Sequence, residues 1–154
     1  MSRAFVKEDD NGGIEPLPDR PISPHANLVT PEGLAAIERQ LADLAERHAA
    51  ASQAQDRAAL GAIARDLRYW NARRASAQVV KAPDAPLEVA FGTTVTISRA
   101  DGRRQTWRIV GEDEADPAQG RLSYVSPVAQ ALMRKRIGEV VRAGNSDAEV
   151  VAIS

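Results

Sequence analysis

The chain has 154 residues, a formal net charge of −1, 44% hydrophobic residues and only 4% aromatic ones. Near-neutral charge excludes a general attraction to nucleic acid or membrane. The absence of cysteine excludes a disulfide framework, cysteine–zinc sites and thiol catalysis. No apolar run approaches the ~20 residues of a membrane span, and the N-terminus has no signal-peptide pattern, so the expected compartment is the cytoplasm. Alanine supplies much of the apolar count, so a slim helical element plus a small β domain fits better than a large aromatic core.

Residues 1–29 are rich in charge, proline and glycine, and prolines at 16, 18, 21 and 24 favour extended backbone. One reading is a disordered tail. The other is an arm that docks Phe5, Val6, Leu17 and Ile22 on a partner. Thr30-Pro31-Glu32-Gly33 then opens a helix: Thr30 caps, Pro31 takes the first helical position and Glu32 favours the positive end of the dipole. Leu34, Ile37, Leu41, Leu44 and His48 follow at spacings of 3, 4, 3 and 4, which is an a/d seam. Asp56 caps a second helix with the seam Leu60, Ile63, Leu67 and Trp70, and Tyr69 turns toward the flank. Two seams separated by polar residues 52–56 predict an antiparallel helical hairpin over residues 30–80, each arm roughly 30 Å long. A single continuous helix is the alternative, because nothing between 49 and 59 is a strong breaker.

Residues 81–154 read as a β domain. Val95 and Ile97 alternate with Thr94, Thr96 and Ser98, Asp101-Gly102 makes a tight turn, and Gln105 to Val110 resumes the alternation through Trp107 and Ile109. Gly111 breaks the strand, and Glu112-Asp113-Glu114 and Asp116-Pro117 form an acidic loop. Leu122 to Val125 is a short strand. Ser126 caps and Pro127 starts a helix with an apolar face of Val128, Ala129, Leu132 and Met133. Gly138 ends it, and Glu139-Val140-Val141 returns to strand. The expected class is α+β: an N-terminal antiparallel helical hairpin and a C-terminal antiparallel β domain with one short helix.

The residues offer little for catalysis. Asp56 is the only carboxylate of the tip segment and lies next to Arg57, a poor magnesium site. Glu112, Asp113, Glu114 and Asp116 lack the spacing of an EF-hand loop and read as a solvent-facing turn. The only histidines, His25 and His48, have no matching Ser or Asp constellation. FGTT lacks the lysine and following helix of a phosphate loop. The expectations are no catalytic residue, no metal, no cofactor and no enzyme. Arg57, Arg65, Arg68, Arg73 and Arg74 oppose one acid, Asp66, on the second helix. That is a solvated face, or a stripe suited to carboxylate or phosphate contacts.

The runs FGTTVTI, RIVGEDEAD, SPVAQAL and IGEVV, in this order and spacing, resemble the C-terminal domain of the Gre family (GreA/GreB) of bacterial transcription factors. LVTPEGLAAIERQLADL resembles the start of that family's coiled coil and ARRASAQVV its end, so the resemblance covers residues 28–153. It implies an FKBP-like β domain and a monomer that binds RNA polymerase at the rim of the secondary channel, meeting nucleic acid only through the transcription complex. Carried over by position, Asp113, Glu114, Ser126 and Pro127 are polymerase contacts, although the residue before Ser126, commonly Asp or Asn in the family, is Val125 here. Family members that stimulate RNA cleavage carry an Asp-Leu-x-Glu-Asn-type stretch at the hairpin tip. This tip reads Gln55-Asp56-Arg57, on a hairpin that looks several turns shorter. The resemblance therefore implies channel binding without cleavage stimulation. The Rnk-like regulators of nucleoside diphosphate kinase, with the same β domain and a shortened hairpin, are the nearest alternative. A peptidyl-prolyl isomerase is another. It needs an aromatic-lined proline pocket, for which only Phe91, Trp107 and Tyr124 are on hand.

Overall fold

The computed structural model describes residues 16–154, so Phe5 and Val6 lie outside the described residues. Helix α1 (Pro31–Gln53) begins as its first residues dictate. Thr30 is buried, its Oγ1 accepts the Gly33 amide at 3.0 Å, and Pro31 takes the first position. The seam buries Ile37, Leu44 and Ala51 and half-buries Leu34 and Leu41. His48, expected on that seam, is exposed, and Ala51 closes it one turn later. Helix α2 (Arg57–Ser76) buries Ile63, with Leu60, Leu67 and Trp70 packed around the same cluster. Each fully buried Leu or Ile contributes roughly 1.5–3 kcal/mol, enough to hold two helices that propensity alone leaves marginal.

The turn between them is made without glycine. Gln55 has φ +53°, its amide bonds the Ser52 carbonyl at 3.2 Å, and the Asp56 amide bonds the Ala51 carbonyl at 3.0 Å. That pair of bonds is the Schellman termination of a helix. Asp56 then caps α2 by accepting the Ala59 amide at 3.0 Å. The single continuous helix is thereby excluded.

At the base of the hairpin, strand β1 (Leu28–Val29) runs parallel to β2 (Gln78–Val79), pairing Leu28 with Gln78 and Val29 with Val79. This short ribbon ties the chain entering α1 to the chain leaving α2. A strand of two residues shows no alternation, so the sequence gives no sign of it.

The second body is a five-stranded sheet of β3 (Thr94–Arg99), β4 (Arg104–Val110), β5 (Arg121–Ser123), β6 (Val140–Ala143) and β7 (Ser146–Ile153), in the order β5-β4-β3-β7-β6. Val95, Ile97, Ile109 and Val150 are fully buried, as alternation requires, and Leu122, Ala129, Leu132 and Val141 complete the core. Helix α3 (Pro127–Leu132) packs beside β6. Two expectations change here. The sheet is antiparallel except for β4 and β5, which pair parallel because the acidic loop carries the chain back to the start of its neighbour. Helix α3 stops at Leu132 rather than running toward Gly138. The Arg134 amide bonds the Val89 carbonyl at 2.8 Å and Val89 returns a bond to Lys135 at 2.9 Å, so a tertiary pairing takes the backbone that a further turn would need. Among the described residues no helix is long and apolar enough to cross a membrane.

Candidate functional site

The first three acids of the loop do not face solvent, contrary to expectation, whereas Asp116 does, with 45% of its side chain exposed. They form a short 3-10 turn (Glu112–Glu114) seated in the angle between the hairpin and the sheet. Glu114 reaches across to the start of α1: Oε2 accepts the Thr30 amide and the Gly111 amide, both at 3.0 Å, and Oε1 accepts the Thr30 hydroxyl. One carboxylate thus serves the N-cap of a helix 84 positions earlier in the chain. Two glycines permit the approach. A Cβ on Gly33 would stand 2.2 Å from Glu114 Cδ, and one on Gly111 would stand 2.3 Å from the Leu28 carbonyl oxygen.

Asp113 turns to α2. Its Oδ2 accepts Arg73 Nε at 2.6 Å, and its Oδ1 accepts the Tyr69 hydroxyl. The Arg73 side chain is 2% exposed and the Asp113 side chain 12%, with Glu112 Oε2 4.0 Å from Arg73 Nη2. Such a pair offsets its own desolvation only while both partners stay in place. Burial pushes the Tyr69 phenol up to about 12, helped by its hydrogen bond to Asp113. Burial, then the Glu112 charge, also raises Tyr124. At the other edge of the joint, Glu32 pairs with Arg108 at 3.2 Å. The Glu32 carboxyl is held below its usual range by its own backbone amide first and by Arg108 second.

The predicted site residues therefore separate. Asp113 and Glu114 are joined in one interior joint. Ser126 and Pro127 lie at the start of α3, where Ser126 is half-buried and accepts the Ala129 amide at 3.3 Å while Pro127 is exposed. Gln55, Asp56 and Arg57 form the far tip and are all exposed. The basic face of α2 is not a stripe. Arg73 is buried, Arg65 Nε pairs with Asp66 at 3.1 Å, and Arg68 Nε pairs with Asp19 at 2.5 Å. A cleft of about 430 Å³ beside the joint is lined by Arg39, Arg108 and Arg121 but equally by Glu32, Asp113 and Glu114, so its walls are charge-balanced. Of the three aromatics considered for a proline pocket, Phe91 is 6% exposed and packs edge-on against Tyr124 with centroids 5.7 Å apart. Trp107 packs against the same core. Thr30, Gly33, Tyr69 and Gly111 were missed as site residues. The available signal was a glycine in the first turn of a well-capped helix, which marks a close approach.

The family pattern described as "Transcription elongation factor, GreA/GreB, C-term" matches residues 84–154. The chain is 43% identical over 81 residues to transcription elongation factor GreB of Neisseria meningitidis, and that match takes in 51% of this chain and 50% of the relative, so it spans about half the length of the relative. Two longer matches cover most of this chain. Transcription elongation factor GreA of Thioalkalivibrio sulfidiphilus is 37% identical over 135 residues, 80% of this chain and 82% of the relative. Transcription elongation factor GreB of Xanthomonas axonopodis pv. citri is 36% identical over 132 residues, 73% of this chain and 79% of the relative. Among solved structures, GreA factor homolog 1 of Thermus thermophilus aligns over 84% of this chain and 99% of its own, at 18% identity and a TM-score of 0.42. These names correct one expectation. The relatives are named as transcription elongation factors, and that name does not support the flat reading of the chain as no enzyme, which is withdrawn. The capped hairpin, the sheet that follows it and 37% identity across four-fifths of both chains lead to one assignment: the chain belongs to the GreA/GreB family of transcription elongation factors.

Proposed function

We propose that the protein binds bacterial RNA polymerase at its secondary channel as a monomer and occupies the channel mouth without stimulating transcript cleavage. The β module grips the channel rim with the surface around Ser126 and Pro127. The helical hairpin is the finger that enters the mouth, and nucleic acid is met only through the transcription complex. The observation that carries this reading is the tip. Asp56 is its sole carboxylate, and that carboxylate is already the cap of α2 through the Ala59 amide. A tip that helps hold a Mg²⁺ ion is best built from a pair of carboxylates, and this one offers a single carboxylate, with one oxygen already given to the cap and an arginine beside it. Asp113 and Glu114 support the grip from behind, by holding the finger against the β module.

The test uses a stalled transcription complex. The protein is expected to co-purify with core polymerase, to leave the transcript-cleavage rate unchanged, and to slow cleavage driven by an acidic-tipped channel factor. Absence of binding at low salt would overturn the polymerase reading. Faster cleavage on addition of the protein alone would overturn the blunt-tip reading.

A further inference from the structure

The proline-rich segment before α1 touches both bodies of the molecule. Toward α2, Asp19 Oδ1 accepts Arg68 Nε at 2.5 Å, the Leu17 carbonyl accepts Arg68 Nη2 at 3.3 Å, and Arg20 lies 3.5 Å from Asp66. The Arg20 guanidinium also stacks 3.9 Å above the Tyr69 ring, the same residue whose hydroxyl holds Asp113. Toward the β module, the Ser23 hydroxyl donates to Glu112 Oε1 at 2.9 Å, and the Tyr124 hydroxyl donates to the Ala26 carbonyl. Between them, buried Asn27 donates to the Arg73 carbonyl at 2.7 Å and to Ser76 Oγ at 3.1 Å.

We infer that residues 19–27 are an intramolecular clamp that holds the finger at one angle to the β module. The contacts pass from α2 to the β module and back to α2, and converge on the elements of the joint: Arg73 through Asn27, Tyr69 through Arg20, and the acidic loop through Ser23. Prolines 18, 21 and 24 restrict the free backbone, so ordering the segment costs less entropy than its length implies. The outer contacts are weak one by one. Arg68 and Asp19 are 47% and 72% exposed, a class of pair that contributes about 0–1 kcal/mol. The inner contacts are shielded, because Asn27 is 5% exposed. A clamp built this way holds at its inner end and opens from its outer end. It concerns the chain alone and stands whether or not polymerase binding is found.

The chain has no cysteine, so two labels can be placed cleanly. Ala54→Cys at the tip and Gln119→Cys on the β module are both exposed positions. Spin labels there report the finger's angle by double electron–electron resonance. The labelled full chain is expected to give one narrow distance. Adding Ser23→Glu, which sets a second carboxylate against Glu112, together with Arg20→Ala is expected to broaden that distribution roughly twofold or add a second distance, as a released rigid body does. A superimposable distribution with unchanged circular dichroism overturns the clamp. Where the double variant loses its near-ultraviolet signal, Asn27→Ala, which removes the inner bonds to the Arg73 carbonyl and to Ser76, carries the comparison: broadening supports the clamp, and an unchanged distribution refutes it.

Discussion

Gly33 sits in the first turn of α1, where an alanine would ordinarily stabilise the helix by up to ~1 kcal/mol. In this chain the new Cβ would lie 2.2 Å from Glu114 Cδ and 2.4 and 2.6 Å from its two oxygens. The carboxylate would have to leave the Thr30 and Gly111 amides, each now at 3.0 Å, and the Thr30 hydroxyl. Hydrogen bonds to a charged group contribute about 1.5–3 kcal/mol each, and a carboxylate pushed toward the open cleft regains part of that from water. Subtracting the helix gain leaves Gly33→Ala destabilising by about 2 kcal/mol. The sign should reverse once Glu114 is gone. In a Glu114→Ala background the three atoms nearest that Cβ are gone, and the same substitution should stabilise by up to ~1 kcal/mol. Urea denaturation of the four chains, followed by circular dichroism, gives the cycle directly. An equal effect of Gly33→Ala in both backgrounds would refute the contact between the loop and the helix start.

Gln55→Gly relieves a left-handed residue at φ +53° and should raise stability by about 1 kcal/mol in the same denaturation experiment, with no change in binding. Arg73→Ala leaves Asp113 and Glu112 facing a buried gap and should cost about 3–5 kcal/mol, whereas loss of an exposed arginine would cost under ~1 kcal/mol. Tyr69 has a folded pKa of about 12 against an ordinary value of 10. Its contribution is therefore complete below pH 10 and lost as pH rises through 12. The shift is nominally about 2.7 kcal/mol, and because Tyr69 is only half-buried, screening reduces this to on the order of 1 kcal/mol. Thermal melts across that alkaline range should show the loss, and Tyr69→Phe should abolish it.

What the sequence made legible is whatever local chemistry decides. Thr30 and Asp56 cap because their side chains meet amides three residues on, and Ile37, Leu44 and Ile63 are buried because their spacing puts them on one face. The joint was not legible for the opposite reason. Glu114 serves Thr30 and Asp113 serves Arg73 across 84 and 40 positions, and nothing near Glu114 or Arg73 distinguishes them from neighbouring solvated charges. Helix α3 is shorter than its residues predict because Val89, far upstream, claims the backbone of Arg134 and Lys135. Local propensity yields wherever a distant segment offers a hydrogen bond that the local structure would waste.

The inward carboxylates bear on the proposed action of the hairpin as a finger. Helix α1 has 23 residues, so the tip stands ~35 Å from its base, and a play of ~10° at that base would sweep the tip through ~6 Å. A finger that acts by occupying a channel needs a base stiffer than that. Glu114 separates two accounts of the acidic loop. If Glu114 touches the polymerase itself, Glu114→Ala should weaken binding to core polymerase directly. If it holds the finger, as its bonds to Thr30 and Gly111 argue, the grip proposed around Ser126 and Pro127 is untouched. Binding is then expected to change less than about threefold, which corresponds to under ~0.7 kcal/mol, while competition with a cleavage-active channel factor falls by about tenfold. Ser126→Ala and Pro127→Ala should show the reverse order, with binding lost first. A Glu114→Ala chain that loses binding and competition in equal measure would return Glu114 to the polymerase interface and leave the orientation of the finger to Asp113, the parallel ribbon and the segment before α1.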